Sequence, residues 1–518
     1  MGSVPDYDCV VVGAGHNGLV TAAYLARAGR RTLLLEARAG VGGTAASEPF
    51  AGATVNVCNC DHLTFRTTPV IEDLDLARFG LRYLDVEPAQ IATAWSSGPA
   101  WAQYHDTERT LDELARTHPG QVDGYRRYLR AALPAARMIL DAAQEPPTAA
   151  GLTRVALRRG LAGTARIIRW SRRRAADVLG EYLTHPAVVG PGLVSGPMVW
   201  GVSPRAPRTG LGALTYALRH VGRLGRPAGG SGALTEALLA AFAHHGGELR
   251  TSSAVGAIVC HADRVVGVEL ADGSTVTAPI VVSACDPRRT FVHWLRSPPA
   301  GAERLVSRWR AKQPGDGYES KIDAVVSTVP RWRDSPHDLG PTTIVAPTVD
   351  QMHLAAELLP RGEVLERPAL LMNVPSIGDP SVAPAGRHVF SLEVLLTPYR
   401  LTGGWSGSTE PQRWLDLVAA GMEPGFLDSI VEWRAVTPDV YEREFHLPNG
   451  HATSFAGGPL AALRNRDPEL TRYETAVPGL YLTGAATFPG AGIWGASGRN
   501  CATVVLAAGR IRRAHNDR

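Results

Sequence analysis

Short runs of apolar residues, each four or five residues long, mark where the chain enters a buried sheet. Three of these runs are Cys9–Val12, Ile280–Ala284 and Leu480–Gly484. Runs of this length without polar alternation are typical of parallel strands that are covered on both faces. Residues 70–225 instead show mainly helical patterns, broken by prolines and glycines. Because the strand signals lie far apart in the chain, we predict a single sheet assembled from separate segments.

The predicted fold class is α/β, with a discontinuous Rossmann-type dinucleotide domain. We expect this domain to be built from residues 1–65, 225–290 and 455–518. Residues 66–224 and 291–454 would form an inserted α+β substrate domain with a helical region. Further predicted elements are a helix from Gly232 to Gly246, strands over Glu248–Ala257 and Ile258–Leu270 with a turn at Ala262-Asp263, and a closing helix over Ser497–His515.

A glycine-rich turn follows the first predicted strand. Gly13 permits the tight turn, Gly15 lets a pyrophosphate approach the backbone, and Gly18 lets the next helix pack on the strand. That helix, predicted over Asn17–Ala28, directs its positive N-terminus at the phosphates. Glu36 ends the second predicted strand, about 20 residues further on, where an acid usually holds a ribose. Strand, turn, helix and acid together predict a dinucleotide site.

Length, charge and cysteine content narrow the class of protein. A chain of 518 residues suits two or three domains. The net charge of +4 comes almost wholly from arginine, with lysine only at 312 and 321, and no nucleic-acid-binding motif accompanies it. Six cysteines suit a reduced, cytosolic protein. No signal peptide or membrane-spanning run is evident. We therefore expect a cytoplasmic protein without a nucleic-acid partner.

Residues 153–174 form an arginine-rich segment with helical periodicity. Apolar residues such as Leu157, Leu161 and Ile168 alternate with eight arginines. One hypothesis is a helix that contacts a membrane surface, which would make the protein peripherally membrane-associated. The alternative is an ordinary surface helix with a solvated arginine face. The sequence leaves both interpretations open.

Four segments resemble the phytoene-dehydrogenase-like FAD oxidoreductases, which include the carotenoid desaturases and a beta-carotene ketolase-like branch. The segments are Val10–Gly43, GGSGALTEAL at 229–238, VVSACDPRRTF at 281–291, and PGLYLTGAATFPGAGIWGASGRN at 478–500. The resemblance covers nearly the whole chain in order. It implies the two-domain fold of the amine-oxidase and glutathione-reductase type, with FAD lying along the large domain.

The resemblance also implies which residues bind FAD. They are Gly13, Ala14, Gly15, His16, Asn17 and Gly18 at the pyrophosphate, Glu36, Ala37 and Arg38 at the adenosine ribose, Gly42, Gly43 and Thr44 along the phosphate and ribityl chain, Val255 near the adenine, Gly484 and Ala485 at the pyrophosphate and ribityl chain, and Gly492, Ile493 and Trp494 at the flavin. Arg38 could also favour a 2′-phosphate, but Glu36 and the C-terminal motif favour FAD. A second dinucleotide domain is not visible, so we expect electrons to enter FAD from an organic substrate.

Three departures from the family pattern bear on the substrate. Thr44 stands where many flavin amine oxidases have arginine. Phe488 begins the segment that usually reads His-Pro-Gly-Ala-Gly in the desaturases. Trp494 is bulky where a smaller residue is common. These differences argue against a long polyene and favour a smaller or aromatic substrate. Trp494 would stack on that substrate or, alternatively, only seal the flavin from water.

The segment Thr54–His62 leads towards the predicted flavin position and carries reactive side chains. Cys58, Cys60 and His62 alternate, so on a strand they share one face. His62 could be a general base, since its ordinary pKa lies in the useful range, or it could orient the cofactor. A metal site from these three residues lacks zinc-type spacing and a fourth ligand, so we expect no metal. A thioether bond from either cysteine to flavin is a further alternative.

These observations predict an FAD-dependent oxidoreductase that dehydrogenates a C–C or C–N bond of an apolar or aromatic secondary metabolite. The electron acceptor would be dioxygen or a quinone. One alternative is a carotenoid-type desaturase or ketolase at a membrane surface. Another is a non-enzymatic binding protein, because the GDP-dissociation inhibitors of small GTPases resemble this fold. The intact C-terminal flavin motif argues against that last alternative.

Overall fold

A computed structural model describes residues 4–58, 61–95, 98–455, 458–461 and 466–516. Its first sheet is wholly parallel and has five strands, in the order Leu480–Leu482, Val281–Ser283, Cys9–Val12, Thr32–Leu35 and Glu248–Arg250. The three apolar runs of the sequence therefore pair with one another, although they lie more than 190 residues apart. The residue boundaries of the predicted domains stay a proposal.

The parallel sheet is the middle of three layers. Cys9 and Val11 point into a core shared with the helices His16–Arg27, Gly232–His244 and Ala496–Asn516. Val10 and Val12 point into a second core, shared with a four-stranded sheet on the other side. That sheet has the order Thr275–Thr277, Arg264–Leu270, Val255–His261 and Leu295–Arg296. Burial on both faces explains why the strand Cys9–Val12 is apolar at every position.

A seven-stranded mixed sheet forms the inserted domain. Its order is Ile430–Val436, Glu319–Val326, His388–Leu395, Leu370–Asn373, Thr343–Ala346, Gln90–Ala94 and Trp101–Gln103. Part of one face packs on an aromatic helical core that includes Trp101, Tyr125, Tyr128 and Tyr216. Two hairpin-like pairs complete the strands, Ser47–Phe50 with Ala53–Asn56, and Tyr83–Asp85 with Gly225–Pro227. The last pair links the helical region to the dinucleotide domain.

The remaining described α-helices surround these sheets. They are Val70–Asp73, Thr107–Thr117, Val122–Ala142, Ala149–Arg159, Leu161–Trp170, Ala175–Gly180, Pro186–Val194, Thr215–Val221, Glu303–Ala311, Val349–Leu358, Glu410–Gly421, Phe426–Ser429, Pro438–Phe445 and Glu469–Arg472. Nowhere in these described ranges is a helix long and apolar enough to cross a membrane.

Two predicted elements are wrong in detail. The single helix over 153–174 is two helices, because Gly160 has a φ of +82° that an α-helix cannot contain. The predicted strand border between Ala257 and Ile258 falls inside one continuous strand, Val255–His261. The turn at Ala262-Asp263 is present, and both of its residues have positive φ as a two-residue hairpin requires.

Candidate functional site

The two ends of the chain meet at the first glycine turn. An ideal Cβ on Gly18 would lie 1.9 Å from the carbonyl oxygen of Gly13, so only glycine fits where helix and turn touch. The amide of Gly498, in the closing helix, donates to Asn17 Oδ1 at 3.2 Å. His16 hydrogen-bonds to the backbone of Gly492, and burial lowers its pKa to about 4. The N-terminal and C-terminal motifs thus form a single site.

The Glu36 carboxylate lies beside the turn, where a ribose would be held. It accepts hydrogen bonds from the amides of Ala14 at 2.8 Å and Arg38 at 2.9 Å. The carbonyl of Glu36 accepts from Ser253 N at 2.8 Å, which brings the chain before Val255 to the same place. Each carboxylate oxygen keeps lone-pair capacity for a ribose hydroxyl. The predicted adenosine residues are therefore neighbours in space.

Arg38 is held away from a phosphate-binding position. Its guanidinium donates to Glu48 at 2.7 Å and stacks 4.1 Å from the ring centre of Phe445. Ala37, between Glu36 and Arg38 in the sequence, is half-buried. An arginine already paired in this way is a poor partner for a 2′-phosphate, so the geometry favours FAD over a 2′-phosphorylated nucleotide.

The first turn leaves room for a pyrophosphate. A Cβ on Gly15 would meet nothing within 4 Å, whereas the turns around it are tightly packed. Gly42 has a φ of +109°, and its amide donates to Ala14 O at 2.8 Å. This bond brings the short helix that contains Gly43 and Thr44 against the first turn. The open space at Gly15 and the acid at Glu36 fit the pyrophosphate and ribose of FAD.

The C-terminal motif is held by main-chain contacts from several elements. Gly484 has a φ of +106°, and its amide donates to Ser497 Oγ at 3.0 Å. Ala485 O accepts from Phe455 N at 3.0 Å. Ile493 O accepts from Thr64 Oγ1 at 3.1 Å. The helix Ala496–Asn516 begins two residues after Trp494, so its positive end lies beside the predicted flavin position.

Aromatic side chains surround Gly492. An ideal Cβ there would lie 3.3 Å from the indole of Trp494 and 3.4 Å from the ring of Trp200, which is 40% exposed. Tyr318 and His451 stack edge to face, with ring centres 5.2 Å apart, and both lie beside Gly201, the residue that follows Trp200. Trp494 and Trp200 therefore give the predicted flavin position aromatic walls, and Tyr318 and His451 extend the aromatic surface beyond Trp200.

His62 is fully buried and has a partner on each ring nitrogen. Nδ1 lies 2.8 Å from the hydroxyl of Tyr83, and Nε2 lies 3.0 Å from Ser231 Oγ. Burial lowers its pKa to about 3. A base that weak, with both nitrogens occupied, is poorly suited to proton removal near neutral pH. The geometry favours the orienting role of His62 over the catalytic one.

Of the two cysteines that precede His62, Cys58 is among the described residues and Cys60 is not. Cys58 is partly exposed, and its thiol donates to Glu319 Oε1 at 3.2 Å. Cys60 lies outside the described residues. Within those residues, no group of three or more histidine, cysteine or acidic side chains is arranged to hold a metal ion.

Sequence reasoning missed a buried cluster of charged side chains that contacts the segment Thr54–His62 through Cys58. Glu319, Lys321 and Glu393 share one face of the seven-stranded sheet, because Lys321 pairs directly with Glu393 across the two central strands. Lys321 is 1% exposed and forms an ion pair with Asp323. Burial, together with the nearby Glu319 carboxylate, raises the pKa of Glu393 to about 8. We name Cys58, Glu319, Lys321 and Glu393 the acid cluster.

A signal for the acid cluster was present in the sequence. Residues 319–326 read Glu-Ser-Lys-Ile-Asp-Ala-Val-Val, with charges on alternate positions, and Lys321 is one of only two lysines. Alternation of this kind ordinarily indicates a strand with one face in water. Here every residue of the strand is buried. When a fully buried strand carries charged residues at alternate positions, the face that bears the charges must contact other polar groups.

A second buried ion pair joins the sheet to the dinucleotide domain. Arg226 Nε donates to Asp61 Oδ1 at 2.6 Å, and its Nη1 donates to the carbonyl of Gly340 at 2.7 Å. Asp61 Oδ2 also accepts from Thr342 Oγ1 at 2.7 Å. The Arg226 charge, through an ion pair and a hydrogen bond, lowers the pKa of Asp61 despite burial. This contact fixes the residue before His62 relative to the seven-stranded sheet.

Comparison with known proteins agrees with this geometry. The model of an NAD(P)-binding Rossmann-like domain matches residues 11–74, and that of flavin containing amine oxidoreductases matches residues 205–313. A mouse protein named pyridine nucleotide-disulfide oxidoreductase domain-containing protein 2 is 29% identical over 97% of this chain and 94% of its own length. A lycopene-forming phytoene desaturase of Pantoea ananas is 26% identical, over 96% of this chain and 98% of its own.

Among solved structures, putrescine oxidase bound to putrescine has the same fold. It superposes with a TM-score of 0.64, covers 98% of this chain and 99% of its own, and is 15% identical in sequence. The predicted fold class, the cofactor FAD and the assignment to the oxidoreductases are confirmed. The roles of the individual site residues remain predictions.

Proposed function

We propose that this chain, an FAD-dependent oxidoreductase related to the flavin amine oxidases and phytoene desaturases, dehydrogenates a C–C or C–N bond of an apolar or aromatic secondary metabolite. The observation that carries the proposal is a set of aromatic walls: Trp200 and Trp494 lie beside Gly492, and Tyr318 and His451 lie beside Gly201, the residue that follows Trp200. Such walls bind flat or apolar molecules and exclude water. The relative from Pantoea ananas acts on phytoene according to its name.

FAD, when bound, supplies a hydride acceptor at the flavin N5 position. The chain itself would bind the pyrophosphate at Gly13–Gly18 and the ribose at Glu36. The positive end of the helix Ala496–Asn516 would stabilise negative charge on the flavin. His62, with both nitrogens occupied, would position Ser231 and Tyr83 rather than move a proton. Dioxygen or a quinone would then accept the electrons.

The visible absorption spectrum of the purified protein tests this proposal. We expect a flavin spectrum that bleaches when a metabolite extract of the source organism is added without oxygen. Fractionating the extract then identifies the substrate, and admitting air or a soluble quinone to the bleached enzyme distinguishes the two acceptors. A flavin spectrum that stays oxidised with every fraction contradicts the proposal.

A second candidate function, desaturation or ketolation at a membrane surface, is favoured by one surface feature. At the break between the two arginine-rich helices, Leu157 and Leu161 are 75% and 73% exposed. Arginines flank both leucines, although Arg158 and Arg159 pair with Asp141. Exposed leucines between arginines suit a shallow contact with anionic lipid. Co-sedimentation with phosphatidylglycerol vesicles tests this, and L157E/L161E should abolish it; equal sedimentation of both proteins contradicts the candidate.

A further inference from the structure

The central strands of the seven-stranded sheet place an unusual carboxyl group towards the site. Glu393 is 8% exposed, and no hydrogen bond or ion pair engages its carboxyl among the residues that the structure describes. A buried carboxyl without a partner is unfavourable by itself. Such a group is therefore a candidate for contact with a ligand that is absent from the folded chain alone.

The surroundings of Glu393 identify the direction in which it faces. Lys321 is its direct cross-strand neighbour on one side, and Leu371 is its neighbour on the other. Glu319 lies two residues from Lys321 on the same face of the sheet. Its carboxylate accepts a hydrogen bond from the thiol of Cys58, which belongs to the segment that leads to His62. Glu393 is thus on the sheet face that the chain approaching the predicted flavin position contacts through Cys58 and Glu319.

The charges nearby limit what Glu393 can bind. On this face Lys321 is paired with Asp323, and Arg434 contacts Asp323 at 3.3 Å, whereas Glu319 is a second carboxyl group near Glu393. The raised pKa of Glu393 means that its carboxyl keeps a proton at neutral pH. A protonated carboxyl both donates and accepts a hydrogen bond. A neutral carboxyl offers a cationic amine a hydrogen bond but no ion pair.

We propose that Glu393 binds an oxygen-bearing polar head group of the substrate, a hydroxyl or a carbonyl, rather than a cationic amine or a bare hydrocarbon. The inference rests on the proposed function for the existence of a substrate at this face, and adds that the otherwise apolar substrate is polar at one end. It assigns Glu393 as a specificity-determining residue that contacts the substrate.

Binding of four matched probes to the FAD-loaded protein tests this assignment. The probes are 4-phenylbutan-1-ol, 4-phenylbutan-2-one, 4-phenylbutylamine and butylbenzene, and the change in flavin absorbance on titration gives each dissociation constant. We expect the alcohol or the ketone to bind about tenfold more tightly than butylbenzene, which is the effect of one hydrogen bond to a buried group. The amine should bind more weakly than the alcohol.

Two variants at one position make the test specific. Glu393→Gln keeps a neutral group that donates and accepts, so it should keep the preference for oxygen. Glu393→Leu removes both capacities, so this variant should bind the alcohol, the ketone and butylbenzene about equally. Glu432→Leu, at an exposed acid on the edge strand of the same sheet, is the control and should behave as the unaltered protein.

Several outcomes would overturn the assignment. They are tighter binding of the amine than of the alcohol, equal binding of butylbenzene, an undiminished oxygen preference in Glu393→Leu, and no saturable change with any probe. Circular dichroism melts of each variant check that it is folded. Because the readout is binding and not turnover, failure here is distinct from failure of the bleaching experiment, which tests the proposed function itself.

Discussion

Replacing Glu393 by glutamine should change how the stability of the protein depends on pH. Burial and the Glu319 charge raise the pKa of Glu393 from its ordinary value of 4.5 to about 8 in the folded protein. The folded state therefore binds a proton more tightly than the unfolded state. The contribution of Glu393 to the free energy of unfolding is therefore fully present below pH 4.5. It decreases as the pH rises and is fully lost above pH 8.

The size of the effect follows from the width of this window. Each pH unit between the two pKa values changes the free energy of unfolding by about 1.4 kcal/mol. The full window then corresponds to about 5 kcal/mol as an upper bound, because water and side-chain movement lessen the burial of a charged carboxylate. Glutamine has nearly the same shape and does not titrate, so Glu393→Gln should lack this loss.

Urea unfolding of both proteins, followed by tryptophan fluorescence at several pH values from 5 to 8.5, measures the effect. We expect similar midpoints at pH 5 and a higher midpoint for the variant at pH 8.5, with the difference growing through the interval. Comparing midpoints is sufficient even if a chain of this size unfolds in several steps. Glu432→Gln, at an exposed acid on the same sheet, is the control.

A midpoint difference that stays constant from pH 5 to 8.5 would refute the reasoning. It would mean that Glu393 is as well solvated or as well paired when folded as when unfolded. A difference that shrinks with rising pH would refute it more strongly, because the sign of the pKa change would then be reversed.

Three other predictions follow from single contacts. Gly18→Ala places a Cβ 1.9 Å from a carbonyl oxygen, so the variant should lose about 1–3 kcal/mol of stability and most of its FAD binding. Flavin retention on gel filtration measures the binding. The control Gly40→Ala, where a Cβ meets open space, should lose neither. Tyr83→Phe removes the partner of His62 Nδ1 and should lower stability by about 1–3 kcal/mol in thermal melts. Asp61→Asn removes the carboxylate that faces a buried arginine and should cost about 3–5 kcal/mol; an unchanged melting temperature would contradict it.

Much of the dinucleotide domain could be predicted because its signals are local. The run Cys9–Val12, the spacing of Gly13 and Gly18, and the acid at Glu36 each act within a few residues, and the backbone geometry that they require is nearly the same in any context. The helix over 153–174 was predicted less well. Its arginines and leucines have helical spacing, but Gly160 has a positive φ that divides it.

The acid cluster shows why the substrate region resists prediction. Glu319, Lys321 and Asp323 occupy alternate positions of their strand, which in most strands places the charges in water. Only the pairing of this strand with a neighbour on each side buries it and sets Lys321 opposite Glu393, 72 positions later in the chain. A resemblance to known enzymes did not reveal it either, since the segment lies outside the shared motifs.

The sequence alone therefore determined that the chain binds FAD in a Rossmann-type domain, because that site is made from short motifs with fixed backbone demands. The tertiary structure decided what the site can do beyond that. It sealed His62 between two hydroxyl groups, joined Asp61 to Arg226, and left Glu393 buried without a partner among the described residues. Those properties depend on contacts between residues far apart in the chain, and the environment of each group sets its pKa.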